Sequence, residues 1–254
     1  MVHTAIGHFE AREEMRATWL NITQYKPETV RVIFLVGTTK KESDQEKLSQ
    51  ESEKFNDIIQ GDFMDTYRNL TNKGVLGFKW ITENCMNAEI IIKIDDDSVI
   101  NLYKFFTNFI YLRKEKKFLF CNVWPKDYMR IERDRNNKWF VSDIFFKGYS
   151  LFPYTYCSGF AVFISTDLIP ALYKAAMTAP FFWVDDVYLF GILSSRVDNV
   201  KYKQMEEYLT LFHSEALECY RKFGRNCKYL AMLSMRGQIR EMWNAIVHDR
   251  IKIG

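Results

Sequence analysis

The sequence predicts an α/β fold in which a mostly parallel sheet carries helices on both faces. Two observations indicate this class: short apolar runs alternate with longer segments of helical periodicity, and several of the runs end at a turn or polar residue. Such alternation is typical of parallel strands joined by crossover helices. With 254 residues, 48% of them hydrophobic, the chain can bury a substantial core.

The first half of the chain alternates between the two kinds of segment. Ala11, Met15 and Trp19 have helical spacing and predict a helix over residues 9–23, and the apolar run 30–36 predicts a buried strand. The later segments are predicted as a surface helix (38–54), a strand (57–60), the longest helix of this half (66–85), a strand (89–94), a helix (about 102–112) and a strand (118–122).

Periodicity fades between Pro125 and Pro153, which predicts a long loop of the kind that is usually functional in a compact domain. The segments after it are predicted as a strand (158–164) and three helices (167–177, 187–193 and 230–247). No internal repeat and no Gly/Ser-rich linker interrupts the chain. We therefore expect a single domain over residues 1–254.

Charge and hydropathy exclude some partners. The net charge is only +3, and the basic clusters 113–117 and 130–138 contain acids, so we expect solvated surfaces and no nucleic-acid binding. No apolar run reaches the ~18 residues that a membrane span needs. The chain is thus predicted to be soluble, or to be a fragment of a longer, membrane-anchored protein.

Five cysteines are widely spaced without a C-x-x-C pair, a spacing that disfavours a zinc site. Their spacing is compatible with two disulfides and one free thiol, and equally with five reduced, buried thiols. Residues 21–23 and 69–71 are sequons for N-glycosylation.

The most informative segment is the apolar run 89–94 followed by Asp95, Asp96 and Asp97. Open α/β sheets bind ligands at the carboxyl ends of their strands, and three adjacent acids there repel one another unless a cation is present. Carboxylate oxygens favour Mg²⁺ or Mn²⁺. The alternative is a solvated turn with a helix-capping aspartate.

Two chemistries suit such a strand end. One is a glycosyltransferase Asp-x-Asp site, in which Asp95 and Asp97 flank a metal that neutralises a nucleotide diphosphate. The other is a phosphatase of the haloacid-dehalogenase type, whose Asp-x-Asp-x-[Thr/Val] motif residues 95–99 also match. That motif normally ends the first strand of its fold, whereas two predicted strands precede it here.

Asp185 and Asp186 form a second acidic pair at the start of a predicted helix. Acids in a first helical turn are stabilised by the helix dipole, which explains them without a function. Direct displacement on a sugar, however, needs a base that deprotonates the acceptor hydroxyl, and one of these acids could serve.

A series of blocks in order resembles the β-1,3-galactosyltransferase and β-1,3-N-acetylglucosaminyltransferase family (glycosyltransferase family 31). The longest block, around Asp62, makes the resemblance specific, and the similarity runs over about residues 12–193, with 194–254 as a C-terminal extension. The blocks are residues 12–19, 34–37, 51–52, 57–73, 93–97, 138–139, 152–154, 157–159 and 185–188.

This resemblance implies a GT-A-type fold, a divalent metal (Mn²⁺ or Mg²⁺), a UDP-sugar donor, an acceptor glycan on protein or lipid, and transfer with inversion. It assigns Asp95 and Asp97 to the metal, with His213 completing the metal shell, and Asp186 as the base. A non-catalytic sugar-binding relative is an alternative that the intact acids disfavour.

Further residues receive roles by the same resemblance. Arg16, Lys73 and Asp96 are expected on the donor side, although Arg16 and Lys73 are equally suited to structural salt bridges. On the acceptor side we expect Asp185 together with the 125–157 loop, which carries Trp139, Tyr154 and Tyr156.

The chain departs from the family pattern at two places and lacks the usual N-terminal anchor. Gly74 stands where many relatives have Thr, and Asp185 where many have Glu. Family members are type II membrane proteins of the Golgi, so the resemblance implies that location for the full-length protein, and it supports a disulfide at Cys157.

Overall fold

The structure, a computed structural model, describes residues 1–235 and 237–251. The strands in this part of the chain are Val2–His3 (β1), Phe34–Thr38 (β2), Ile58–Met64 (β3), Ile90–Asp95 (β4), Ser98–Ile100 (β5), Phe118–Trp124 (β6), Tyr156–Ser165 (β7), Lys201–Gln204 (β8), Leu209–Thr210 (β9) and Ala231–Leu233 (β10).

Seven of these described strands form one sheet in the order β3-β2-β1-β4-β7-β6-β8. Strand β7 is antiparallel to both of its neighbours, and every other pairing in this sheet is parallel. Three more of them form a small sheet in the order β5-β10-β9.

The helices are Phe9–Ala17 (α1), Glu42–Phe55 (α2), Leu70–Asn84 (α3), Leu102–Lys104 (α4), Ile169–Ala176 (α5), Asp185–Val187 (α6), His213–Phe223 (α7) and Ile239–Ile251 (α8). Two of them continue without a break as π-helical turns, α4 into Phe105–Phe109 and α6 into Tyr188–Ile192.

The main sheet buries both of its faces because successive side chains of a strand point in opposite directions. In β6, Phe118 and Phe120 belong to a core that includes Met15 of α1, whereas Leu119 belongs to a second core that includes Phe78 of α3. Helices therefore cover both faces, and the predicted α/β fold with a mostly parallel sheet is confirmed.

The central strand β1 was not predicted. Val2 pairs with Phe34 of β2 and with Ile94 of β4, so two residues connect the two halves of the sheet. A two-residue strand is too short to show a period of two in the sequence.

The predicted helix 9–23 ends at Ala17, because Thr18 donates its hydroxyl back to the carbonyl oxygen of Glu14 at 2.7 Å and the chain then turns. The predicted strand 30–36 begins only at Phe34.

The prediction of one helix over residues 230–247 is wrong in its first part. Ala231–Leu233 is β10, which pairs antiparallel with β5 and parallel with β9, and the helix α8 begins at Ile239. A short buried apolar run has no period that distinguishes helix from strand. Strands β8 and β9 and helix α7 were also not predicted.

Two disulfides join described cysteines. Cys121–Cys157 links β6 to β7, Cys219–Cys227 closes a short loop after α7, and Cys85 is free. The predicted disulfide at Cys157 is thereby confirmed. Among the residues described, no helix is both long and apolar enough to cross a membrane.

Candidate active site

The carboxyl end of the sheet brings the two acidic segments together. Asp95 ends β4, and Asp185 and Asp186 begin α6, which packs against β7, the neighbour of β4. Lys93 joins them: its Nζ lies 2.7 Å from Oδ1 of Asp95 and 3.9 Å from Oδ2 of Asp185, and its side chain is only 1% exposed. A buried ammonium group between two acids offsets their repulsion.

Strand β7 passes beneath α6 at Gly159. The Nζ of Lys93 also donates to the carbonyl oxygen of Gly159 at 2.6 Å. A Cβ at position 159 would lie 3.3 Å from Cβ of Asp186 and 3.6 Å from Nζ of Lys93. Glycine therefore lets the acidic helix approach the strand, and a larger residue would displace Asp186 or Lys93.

Asp186 has the electrostatic setting of a general base. Its pKa is raised to about 7, by desolvation first and then by the negative charge of Asp185. The backbone N–H of Val187 donates to its Oδ1 at 2.7 Å, and this bond and the Lys93 charge limit the shift. A carboxylate with a pKa near neutrality is well matched to taking a proton from a hydroxyl group.

Asp96 fastens the segment after β1 to the end of β4. Its Oδ2 accepts a hydrogen bond from Oγ1 of Thr4 at 2.5 Å and lies 2.6 Å from Nδ1 of His8. The side chain is largely buried, so it positions residues 4–8 beside the acidic motif. Its donor-binding role stays a prediction.

Asp97 and His213 meet at Ser234. The backbone N–H of Ser234 donates to the carbonyl oxygen of Asp97 at 2.7 Å, and its Oγ lies 3.2 Å from Nδ1 of His213. The other ring nitrogen of His213 lies 3.4 Å from Oε2 of Glu241. The small sheet thus brings His213 next to the acidic motif, although His213 is about 116 residues away in the chain.

The described residues contain no cluster of three or more His, Cys, Asp or Glu side chains arranged to hold a metal ion. The carboxylates of Asp95 and Asp97 at this strand end are nevertheless the oxygen donors that Mn²⁺ and Mg²⁺ sites use, with substrate phosphates completing the shell. The metal-binding roles of Asp95, Asp97 and His213 stay predictions.

Lys73, which was predicted on the donor side, is buried, and its donor-binding role stays a prediction. Its Nζ donates to the carbonyl oxygen of Thr4 at 2.5 Å and to Oδ1 of Asp65 at 2.8 Å, while Oδ2 of Asp65 accepts from the backbone of Gly37. Lys73 therefore ties Thr4 after β1 to Asp65 after β3, and Asp65 in turn contacts Gly37 of β2. This is the structural salt bridge considered as an alternative above.

Arg16 is not brought to the acidic segments. It makes two hydrogen bonds of 2.8 Å to Asp57 and one of 2.6 Å to Glu51, and its guanidinium lies 4.7 Å from the ring centre of Phe34. Asp57 and Phe34 are at the amino ends of β3 and β2, whereas the acidic motif is at the carboxyl end of β4. The structural role fits Arg16.

The predicted acceptor-side aromatics differ in exposure. Trp139 is 50% exposed, and its Nε1 donates to the hydroxyl of Tyr67 at 2.9 Å. Tyr156 is buried beside Phe152, and Tyr154 packs on Phe146. Of the three predicted side chains, Trp139 alone presents a largely exposed ring.

Comparisons with known proteins identify the family of this chain. The Galactosyltransferase family model matches residues 10–206. The chain belongs to this galactosyltransferase family. It is 32% identical over 189 residues to mouse beta-1,3-galactosyltransferase 5 (74% of this chain, 60% of the relative), and 30% identical over 212 residues to the human protein of that name (81% and 65%).

Another relative is mouse N-acetyllactosaminide beta-1,3-N-acetylglucosaminyltransferase 2, which is 32% identical over 197 residues (74% of this chain, 47% of the relative). The chain spans 60% and 65% of the length of the first two relatives. Among solved structures, a glycosyltransferase involved in the glycosylation of the major capsid of PBCV-1 is 10% identical, covers 95% of this chain and 97% of its own, and has a TM-score of 0.46.

Membership of the galactosyltransferase family favours the glycosyltransferase interpretation of the Asp95–Asp97 motif over the phosphatase interpretation. Strand order agrees, because β1, β2 and β3 all precede β4, whereas the phosphatase motif normally ends a first strand.

Sequence reasoning gave no role to three residues of this candidate site: Lys93, Gly159 and Tyr67. Lys93 had a visible signal, since a lysine inside an apolar strand needs a buried anionic partner. Gly159 and Tyr67 lie within blocks that carried the resemblance, but only the folded chain shows Gly159 against Asp186 and Tyr67 against Trp139.

Proposed function

We propose that the chain is the catalytic domain of an inverting, metal-dependent hexosyltransferase. It transfers galactose or an N-acetylhexosamine from a UDP-sugar to the 3-hydroxyl of an acceptor glycan on protein or lipid. The observation that supports this best is the contact of Lys93 with both acidic segments, 2.7 Å from Asp95 and 3.9 Å from Asp185. Leaving group and acceptor hydroxyl flank one anomeric carbon, so donor-side and base-side acids are needed within a few ångströms of each other.

On the donor side, Asp95, Asp97 and His213 would hold Mn²⁺ or Mg²⁺. A bound divalent ion supplies positive charge that offsets the negative charge developing on the leaving diphosphate. Asp96, through Thr4 and His8, keeps the segment after β1 beside this site.

On the acceptor side, Asp186 takes the proton of the acceptor 3-hydroxyl as its oxygen attacks the anomeric carbon. The new glycosidic bond forms on the face opposite the departing UDP, so the configuration inverts, and the electron pair of the broken bond leaves on the diphosphate oxygen. The raised pKa of Asp186, about 7, makes it a stronger base than a solvated aspartate.

A UDP-release screen tests the proposal. The protein would be incubated with UDP-galactose, UDP-N-acetylglucosamine or UDP-N-acetylgalactosamine, Mn²⁺ and a panel of acceptors, and the product linkage determined. We expect acceptor-dependent release with one donor, its loss in EDTA and its return with Mn²⁺. Full activity in metal-free buffer contradicts the metal assignment. Glycan binding without turnover on any donor favours a non-catalytic sugar-binding relative.

We also propose, from the resemblance to type II Golgi enzymes, that the full-length protein works in the Golgi lumen. Two disulfides among the described cysteines fit an oxidising compartment. Fluorescence imaging of the tagged full-length protein beside a Golgi marker checks this, and a diffuse cytosolic distribution argues against it.

A further inference from the structure

Three aromatic side chains form a wall beside the acidic segments, here called the aromatic wall: Tyr67, Trp139 and Trp183. Tyr67 is 48% exposed and Trp139 50% exposed, and the Nε1–H of Trp139 donates to the hydroxyl of Tyr67. The ring of Tyr67 lies 6.2 Å from that of Trp183, which is 6% exposed and is only two residues before Asp185.

The aromatic wall borders the reaction centre. The pKa of Tyr67 is raised by desolvation first, and the negative charges of Asp185, Asp186 and Asp95 add to this shift. Its phenol therefore lies within electrostatic reach of acids from both segments. A sugar with one hydroxyl at Asp186 would have an exposed aromatic surface beside it, and sugar rings stack their apolar faces on such surfaces.

Two cations lie on the wall. The guanidinium of Arg68 is 4.3 Å from the ring centre of Trp183, and Nζ of Lys138 is 4.3 Å from that of Trp139 and 5.9 Å from that of Tyr67. Both side chains are exposed, and within residues 1–235 and 237–251 neither makes an ion pair. Cation–π contact holds each charge in place while leaving its donors available.

Resting on the function proposed above, we propose that the aromatic wall is the acceptor subsite and that Arg68 and Lys138 select acceptor glycans bearing an anionic group, a sulfate ester or a carboxylate. An anionic sugar near Asp185 and Asp186 would be repelled by them unless cations stood at the same surface. Lys138 on the exposed rings of Tyr67 and Trp139, and Arg68 on the buried ring of Trp183, supply that compensation and can donate charge-assisted hydrogen bonds to its oxygens.

The first test compares acceptors that differ only in charge. Transfer to an N-acetyllactosamine acceptor would be measured beside its 6-O-sulfated form and a form carrying a carboxylate. We expect kcat/KM to be about tenfold higher for at least one anionic form, the size of one good charge pair on a binding constant. The anionic acceptor with the higher kcat/KM shows whether sulfate or carboxylate is the group selected. Equal values for all three acceptors overturn the proposal.

The second test removes the charges. In the double variant Arg68→Gln/Lys138→Gln we expect the ratio of kcat/KM for the anionic acceptor to that for the neutral acceptor to fall below about twofold, with the KM for UDP-sugar unaffected. Lys126→Gln, an exposed lysine of the same loop, is the matched control and should keep the preference. The assignment of Arg68 and Lys138 to acceptor selection is overturned if the double variant still prefers the anionic acceptor. It is also overturned if the preference is lost only because the KM for UDP-sugar has risen.

The third test addresses the wall itself, with a readout that does not need turnover. Tyr67→Phe keeps the ring and Tyr67→Ala removes it, so only the alanine variant should weaken binding of the sulfated glycan, by roughly tenfold in calorimetry or saturation-transfer NMR. Equal binding by wild type and Tyr67→Ala overturns the subsite. Should no donor support transfer while sulfated-glycan binding still depends on Lys138, the proposed function fails and the binding inference stands.

Discussion

The two acidic segments share one lysine but differ in which charge dominates their surroundings. Desolvation is the largest influence on both Asp95 and Asp186, and it raises the pKa of each. For Asp95 the second influence is the positive charge of Lys93, which lowers its pKa, and the resulting pKa is about 6. For Asp186 the second influence is the negative charge of Asp185, which raises its pKa further, to about 7. The Lys93 charge thus favours the ionised form of Asp95, whereas the Asp185 charge disfavours the ionised form of Asp186. These surroundings suit the division of tasks proposed above, with a metal at the first segment and proton transfer at the second.

The largest expected effect comes from the first segment. Asp97→Asn weakens a proposed metal ligand, so both UDP affinity and turnover should fall, together costing kcat/KM about 10⁴-fold. Calorimetry with UDP and Mn²⁺, beside a product assay, measures the two losses separately. If UDP binding is unchanged in this variant, the assignment of Asp97 to the donor site is wrong.

The second segment should behave differently. Asp186→Asn keeps size and polarity but cannot accept the proton, so we expect transfer to slow by roughly 10²–10⁴-fold with UDP and Mn²⁺ binding nearly intact. Asp185→Asn is the matched control on the same helix and should lose less. If Asp186→Asn transfers sugar at nearly the wild-type rate, the helix dipole explains this pair and the base lies elsewhere.

The pH dependence of transfer should follow Asp186. A base works only when deprotonated, so kcat/KM should rise with pH and level off above about 7, the pKa of Asp186. In Asp185→Asn the repulsion that raises this pKa is gone, so the rising limb should move to lower pH. A one-unit move would raise the ionised fraction of the base at pH 6 about fivefold. Lys93, Tyr67 and Tyr156, which also face the acids, are unchanged in the variant.

The measurement is a pH–rate profile of wild type and Asp185→Asn at saturating UDP-sugar. If the rising limb stays in place or moves to higher pH in the variant, the group that titrates in the rate profile is not Asp186.

The sequence predicted the acidic segments well because each carries a local signal. Asp95, Asp96 and Asp97 directly follow an apolar run, and Asp185 and Asp186 start a helix. The local sequence does not show that the two acidic segments lie close together. Their proximity depends on β7 lying beside β4, and a period of two in each strand does not reveal which strands are neighbours.

The C-terminal part was predicted least well, for the same reason. Ala231 and Met232 are both buried and Leu233 is partly buried, so this short apolar run carries no alternation of apolar and polar residues. Its strand identity comes from pairing with β5, more than 130 residues earlier. His213 was singled out only by resemblance, and its proximity to Asp97 through Ser234 is a product of that pairing.

A substitution at Gly74 should disturb the segment that carries Asp185 and Asp186 less than a substitution of either aspartate, and should leave the Asp95–Asp97 segment in place. A Cβ at position 74 of α3 would lie 2.2 Å from Cδ1 of Leu189, which is three residues after Asp186 and fully buried. Leu189 thus fills the space that a threonine would need, which explains how the chain accommodates glycine where many relatives carry Thr.

We expect Gly74→Thr to destabilise the fold by about 1–3 kcal/mol through overpacking, lowering Tm by a few degrees. The segment pushed aside carries Asp186 and not Asp97, so transfer should slow several-fold while UDP affinity is unchanged. Shortening the opposing side chain in Gly74→Thr/Leu189→Val should recover part of both losses, because the two residues compete for one volume. Thermal unfolding, UDP calorimetry and the product assay on the single and double variants decide this. If Gly74→Thr weakens UDP binding as much as transfer, the two acidic segments move as one unit, and the division of tasks between them fails.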